Sequence, residues 1–152
     1  MYQYFLYLPC PAGVQGMLRN EISQILNKPI DQMSETRTGV ILKGTWDDAL
    51  KLNLYTRLAQ RVLIELSHGF YRNENDLYRA VGSVPWEDWF HNQLTFKVDV
   101  TAQHSPLTSL NFATLRIKDA VVDRFRDMTG ERPSIDTHFP GVRLHVHLTT
   151  EE

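Results

Sequence analysis

The stretch IDQMSETRTGVILK, residues 30–43, decides the fold. Ile30 to Thr36 and Gly39 to Lys43 read as two short strands, and Arg37-Thr38 between them is a tight link in which Gly39 would be the conformationally permissive residue of a hairpin turn. Upstream, Val14, Met17, Leu18, Ile22, Ile25 and Leu26 recur at three- and four-residue steps, an amphipathic helix over Gly13 to Leu26 that stops before Pro29. Before that, Tyr2 to Leu8 alternates with period two and ends at Pro9-Cys10-Pro11, where missing amides stop ladder pairing. Downstream, Thr45 or Asp47 can cap a second helix through Ala49, Leu50, Leu52, Leu54 and Leu58. Arg61 to Leu66 then reads as a strand through Val62, Ile64 and Leu66. The order is βαββαβ.

That order is the split-βαβ, ferredoxin-like unit, with both helices on one face of an antiparallel sheet. Residues 1–70 form this N-terminal domain, and the polar segment His68 to Asn75 marks its boundary. In residues 71–152, Asn75 can cap a short helix through Leu77, Ala80 and Val81, and Pro85 opens another with Trp86, Trp89 and Phe90. Leu94, Phe96, Val98 and Val100 alternate inward along a strand. Leu110, Ala113, Ile117, Ala120, Val121 and Met128 then form one helical stripe, capped by Ser109 and ended by Gly130. Val142, Leu144, Val146 and Leu148 make a last alternating strand. This second unit reads ααβαβ, so the fold class is α+β. A two-stranded sheet is marginal by itself, which points either to strands shared between the two halves or to a final strand that falls beyond Glu152.

A chain of 152 residues and 17.7 kDa holds one ordinary domain or two small ones. Its 42% hydrophobic and 22% charged residues match globular averages and exclude disordered and fibrous classes. Sixteen basic and 18 acidic side chains give a net charge of −2, so any anion-binding surface must be local. Residues 1–70 carry 7 basic and 6 acidic groups, residues 71–152 carry 9 and 12, and the second unit is therefore the more acidic. The single Cys10 cannot form an internal disulfide, no secretory pattern opens the chain, and no apolar run approaches the roughly 20 residues of a membrane span. A reduced, cytoplasmic protein is expected.

No glycine-rich nucleotide loop or nucleophile elbow occurs, and Cys10 has no base near it in sequence. His145 and His147 share one strand face at a spacing that could supply two metal ligands, but without further ligands the pair reads first as a solvated face. Arg116, Lys118, Arg124, Arg126, Arg132 and Arg143, with Asn111 at the helix start, concentrate forked donors suited to phosphate. Asp119, Asp123, Asp127, Glu131 and Asp136 interleave with them, so the same stretch also reads as a salt-bridged helix, with Arg116 and Asp119, or Asp123 and Arg126, at pairing distance. Trp86, Trp89 and Phe90 could stack on bases, though their spacing suits a core.

Five stretches together carry a resemblance: Tyr55-Thr-Arg-Leu-Ala-Gln-Arg-Val-Leu63; Asp76-Leu-Tyr-Arg-Ala-Val81 with Pro85-Trp86; Leu115-Arg-Ile-Lys-Asp-Ala-Val-Val-Asp-Arg-Phe125; Arg132-Pro-Ser-Ile-Asp136; and Val142-Arg-Leu-His-Val-His-Leu148. The chain resembles the N-terminal region of bacterial large-subunit ribosomal RNA guanine-N2 methyltransferases, the THUMP-containing, RlmL-like enzymes also labelled N6-adenine-specific DNA methylases. The resemblance implies a ferredoxin-like piece followed by a THUMP domain that binds structured ribosomal RNA. It also implies a separate methyltransferase domain that binds S-adenosylmethionine through an Asn-Pro-Pro-Tyr signature absent from these residues. The fragment itself would then carry no catalytic residue, cofactor or metal. The resemblance shifts the basic residues toward RNA contact, with Arg116 and Lys118 near the helix start and Arg132 in the following loop. A spacer docking on the methyltransferase domain and a small metal enzyme built on His145 and His147 are the rival readings.

Overall fold

In the computed structural model β1 (Tyr4–Pro9) is an inner strand of a four-stranded antiparallel sheet, lying between β3 (Gly39–Gly44) and β4 (Leu63–Ile64), with β2 (Met33–Glu35) on the far side of β3. The structure describes residues 2–152; Met1, where the first expected domain begins, lies outside the described residues. The chain divides into two compact units, one through Leu66 and one from Ser67. In the first, β1 leads through α1 (Gln15–Leu26) to the hairpin of β2 (Met33–Glu35) and β3 (Gly39–Gly44), then α2 (Trp46–Tyr55) and β4 (Leu63–Ile64). Register pairs Leu6 with Leu42 and Leu8 with Val40. These four side chains lie on one sheet face and share a buried core with Leu18 and Ile22 of α1 and Ala49 and Leu52 of α2. The ferredoxin-like order expected from the sequence is the order observed.

Several details differ from the sequence reading. Met17, Leu50 and Leu54 are 57%, 51% and 72% exposed, because each residue step turns a helix by about 100° and the inward arcs are taken by Leu18 and Ile22, and by Ala49 and Leu52. α2 ends at Tyr55, so Leu58 falls outside it; the extended Thr56 gives its hydroxyl, at 2.5 Å, to the Glu21 carboxylate, which also accepts the Arg57 N–H at 2.9 Å. The strand expected over Arg61 to Leu66 shrinks to two residues. Glu65 N–H bonds Phe5 O in register, but Gln60 N–H bonds Pro9 O one residue out of register, so the ladder slips between them. Gly39 has no positive φ. It is needed for close approach: a Cβ there would lie 2.3 Å from the Leu8 carbonyl oxygen. Thr45 is the α2 cap, in a reciprocal capping box with Asp48.

The second unit comprises α3 (Glu74–Gly82), β5 (Phe96–Ala102), α4 (Leu110–Thr129) and β6 (Val142–Leu148). β5 and β6 are parallel, in register from Phe96 and Val142 to Ala102 and Leu148, with α4 as the crossover that parallel strands require. The core joins Tyr71, Leu77, Ala113, Ile117 and Leu148, and the Phe90 ring sits 6.2 Å from Phe96 and 4.9 Å from Phe125. Ser109 caps α4 and left-handed Gly130 ends it, as the sequence indicates. Leu110 and Met128, 40% and 57% exposed, leave the expected stripe because a 20-residue helix of about 30 Å overhangs seven-residue strands of about 23 Å. The α3 cap is Asn73, which accepts the Asp76 N–H, and not Asn75. Pro85 opens only a 3-10 turn, Trp86–Asp88, in which Trp86 is buried and its indole N–H donates to Val81 O at 2.8 Å. Leu94 lies before β5 and is 45% exposed.

Candidate nucleic-acid interface

Alternation along β5 and β6 sends Val98, Val100, Val146 and Leu148 into the core and leaves Lys97, Asp99, Thr101, Arg143, His145 and His147 on the opposite face. Register sets Lys97 beside Arg143 and Asp99 beside His145. The Asp99 carboxylate lies 3.3 Å from Lys97 Nζ and 3.8 Å from Arg143 Nη1, so two cations share one anion and the face keeps a positive surplus. Lys97 is a member of this group that the sequence reading passed over; the alternation in FKVDV carries its signal. His147 Nδ1 lies 2.9 Å from Thr101 Oγ1. Among the described residues no group of three or more His, Cys, Asp or Glu side chains could hold a metal ion.

The α4 cations do not share a face. Arg116 and Lys118 are two residues apart and point about 160° away from each other. The Arg116 guanidinium stacks 4.2 Å from the Tyr78 ring and donates to Asn75 Oδ1 at 3.2 Å, packing against α3 instead of pairing with Asp119. Tyr78 donates its hydroxyl to Asp123, and that bond, with burial and the Asp123 charge, raises its pKa. Arg124 grips Glu87 in a bidentate contact, its Nε 3.0 Å from Oε2, and this bond holds the Glu87 carboxyl below its ordinary pKa. Lys118 lies 3.8 Å from Asp119, and Arg126 4.0 Å from Asp123. Asn111 is exposed in the first turn of α4.

Arg132 stands apart from the helix, exposed in the loop from Gly130 to Gly141, with no ion pair among the described residues. That loop is anchored. Pro133 is fully buried, Ser134 O accepts the Phe96 N–H at 3.0 Å, Asp136 N–H donates to Phe96 O at 3.2 Å, and Gly141 N–H donates to Thr95 Oγ1 at 3.0 Å. The Asp136 carboxylate accepts the N–H groups of Phe139 and His138, which lower its pKa. At the tip Phe139 is 88% exposed, a residue the sequence reading missed because a lone aromatic in a polar loop breaks no periodic pattern. Cys10 is buried, and burial, with the Glu35 charge, raises the pKa of its thiol away from nucleophilic use.

A glycine-rich strand-to-helix turn is what a nucleotide-like cofactor such as S-adenosylmethionine asks of a fold. The β1-to-α1 turn offers Pro9, Pro11 and a single glycine, Gly13, and the β5-to-α4 turn, residues 103–109, has none, so neither of these turns is of that kind. No helix of the described residues is long and apolar enough to cross a membrane.

Together these features define a two-unit α+β protein, a ferredoxin-like unit followed by a helix-backed parallel ribbon whose other face is polar. A family model for the THUMP domain matches residues 71–152, and one for the RlmL ferredoxin-like domain matches residues 6–63. The chain belongs to the THUMP domain family. It is 37% identical, over 96% of its length, to the ribosomal RNA large subunit methyltransferase K/L of Syntrophotalea carbinolica, and 35% identical over 99% to that of Pseudomonas fluorescens; it spans 20% of the length of each. Among solved structures, a protein described as a predicted N6-adenine-specific DNA methylase from Listeria monocytogenes superposes with a TM-score of 0.82 at 20% identity, covering 97% of this chain and 38% of that one, a likeness of fold.

Proposed function

We propose that this chain is the RNA-holding N-terminal part of an S-adenosylmethionine-dependent ribosomal RNA guanine-N2 methyltransferase. The observation that carries the reading is the alignment of nearly the whole chain with one fifth of relatives named ribosomal RNA large subunit methyltransferase K/L. In this reading the cofactor and the bond chemistry belong to the remaining four fifths, and these two units bind structured ribosomal RNA and orient it, supplying positioning energy. Arg132, Arg143 and Lys97 are the cations best placed for phosphate; Arg124 is committed to Glu87 and Arg116 to Tyr78. The test is filter binding of the chain to a structured ribosomal RNA fragment at two salt concentrations, with duplex DNA of equal length as competitor. Micromolar-range binding that weakens with salt and resists DNA competition supports the reading. Absence of binding overturns it, and preference for DNA transfers it to the DNA-methylase alternative.

One observation also favours docking on the methyltransferase domain. Trp46, Leu50 and Leu54 recur at four-residue steps along one side of α2, each at least half exposed, an apolar stripe that contact with water alone does not require.

A further inference from the structure

We infer that Phe139 is a stacking platform for an unpaired nucleobase, with Arg132 as the adjacent phosphate contact; this rests on the RNA-binding reading. Three observations meet in the loop from Gly130 to Gly141. First, Phe139 is 88% exposed, the most exposed aromatic side chain among the described residues, ahead of Tyr2 at 85% and Phe70 at 76%, and its ring face is open to a ligand. Second, its backbone is held in place from both ends, so the ring is presented on a fixed support. Asp136 accepts the N–H groups of His138 and Phe139, at 2.9 and 3.0 Å, and Gly141 is tied to Thr95. Ordering entropy is thus largely spent before a ligand arrives.

Third, the same loop carries an exposed cation, Arg132, while the Asp136 carboxylate is engaged by the His138 and Phe139 N–H groups. The two anchors, Ser134 on Phe96 and Gly141 on Thr95, bring both ends of the loop to the start of β5. Arg132 stands two residues before the first anchor and Phe139 two before the second, each a reach of at most about 7 Å. Arg143 follows the second anchor by two residues, beside Lys97. An unpaired guanidinium, an exposed ring and the surplus charge of the polar sheet face therefore lie within the span of one short strand of RNA. A base has a π-face that stacks on phenylalanine whatever its identity, and its phosphate supplies the anion.

The experiment measures affinity of the whole chain for two RNA hairpins, one blunt and one carrying an unpaired 3′ tail of four adenosines. The variants are Phe139→Ala, Phe139→Trp and Arg132→Ala. Wild type is expected to prefer the tailed hairpin by roughly tenfold. Phe139→Ala should lose that preference while binding the blunt hairpin unchanged, Phe139→Trp should keep it and show quenched tryptophan emission on binding, and Arg132→Ala should weaken both and flatten the salt dependence. If wild type binds both hairpins without preference, or Phe139→Ala keeps the full wild-type preference for the tailed one, this inference fails and the RNA-binding reading stands. If wild type binds neither, both fall. The ring is solvent-exposed, so circular dichroism should show every variant folded.

Discussion

Asp48→Asn isolates a single charge in the first unit. In the native chain the Asp48 carboxylate receives Lys28 Nζ at 2.6 Å and the Thr45 N–H at 2.9 Å, and the pair is mostly sheltered, with side-chain exposures of 25% and 14%. Burial alone would raise the Asp48 pKa, but the Lys28 and Thr45 bonds outweigh it and the net shift is downward. Asparagine keeps the shape and can still accept from Thr45, so the change removes the charged contact and leaves the cap. A hydrogen bond to a charged group contributes about 1.5–3 kcal/mol; discounting for residual solvent at Lys28 gives about 1–2 kcal/mol for the variant. At the urea dependence of a small domain this moves the midpoint by about 1 M. The assay is urea unfolding of both proteins followed through the amide resonances of Leu6 and Leu42, which report this core. Because the folded pKa is depressed, the Asp48 contribution is fully present above the unfolded value of about 3.9 and is lost as pH falls through the folded one. The gap between native and Asp48→Asn should therefore be widest near neutral pH and close in acid. A gap below about 0.5 kcal/mol at pH 7, or one that persists in acid, would refute the assignment.

Gly39→Ala should cost more than about 2 kcal/mol, since the added carbon meets the Leu8 carbonyl oxygen at 2.3 Å and Pro9 Cα at 2.8 Å, backbone atoms that cannot rotate away. Loss of amide protection at Leu8 and Val40 checks this; an unchanged exchange pattern counts against it. Tyr71→Phe deletes a hydroxyl that donates to Thr149 O at 2.6 Å and contacts Ser105 Oγ at 2.7 Å, in a residue only 5% exposed. The second unit should lose about 1–2 kcal/mol in thermal unfolding while its RNA affinity at low temperature stays put.

How much was legible in the sequence follows from which forces are local. The β1-α1-β2-β3-α2-β4 order and the Ser109-to-Gly130 limits of α4 rest on period, cap and C-terminal glycine, all written within a few residues. The faces of helices were less legible: Met17, Leu50 and Leu54 are as apolar as their neighbours, and only packing shows which arc turns inward. The candidate interface divided the same way. Arg132 and Arg143 could be singled out as cations, but Arg124 and Arg116 looked identical to them until Glu87 and Tyr78, distant in sequence, came alongside.

The sequence by itself determined an α+β chain of two units with a ferredoxin-like half, because hydrophobic period and turn chemistry act over a turn or two of chain; its likeness to THUMP-containing enzymes rested on the five quoted stretches. Only the tertiary structure decided which charges remain available. A cation's availability depends on the acid or ring that folding sets beside it, and a net charge of −2 says nothing about that placement. The joining of Ser134 and Gly141 to the start of β5 is what ties both ends of the loop carrying Arg132 and Phe139 to one strand.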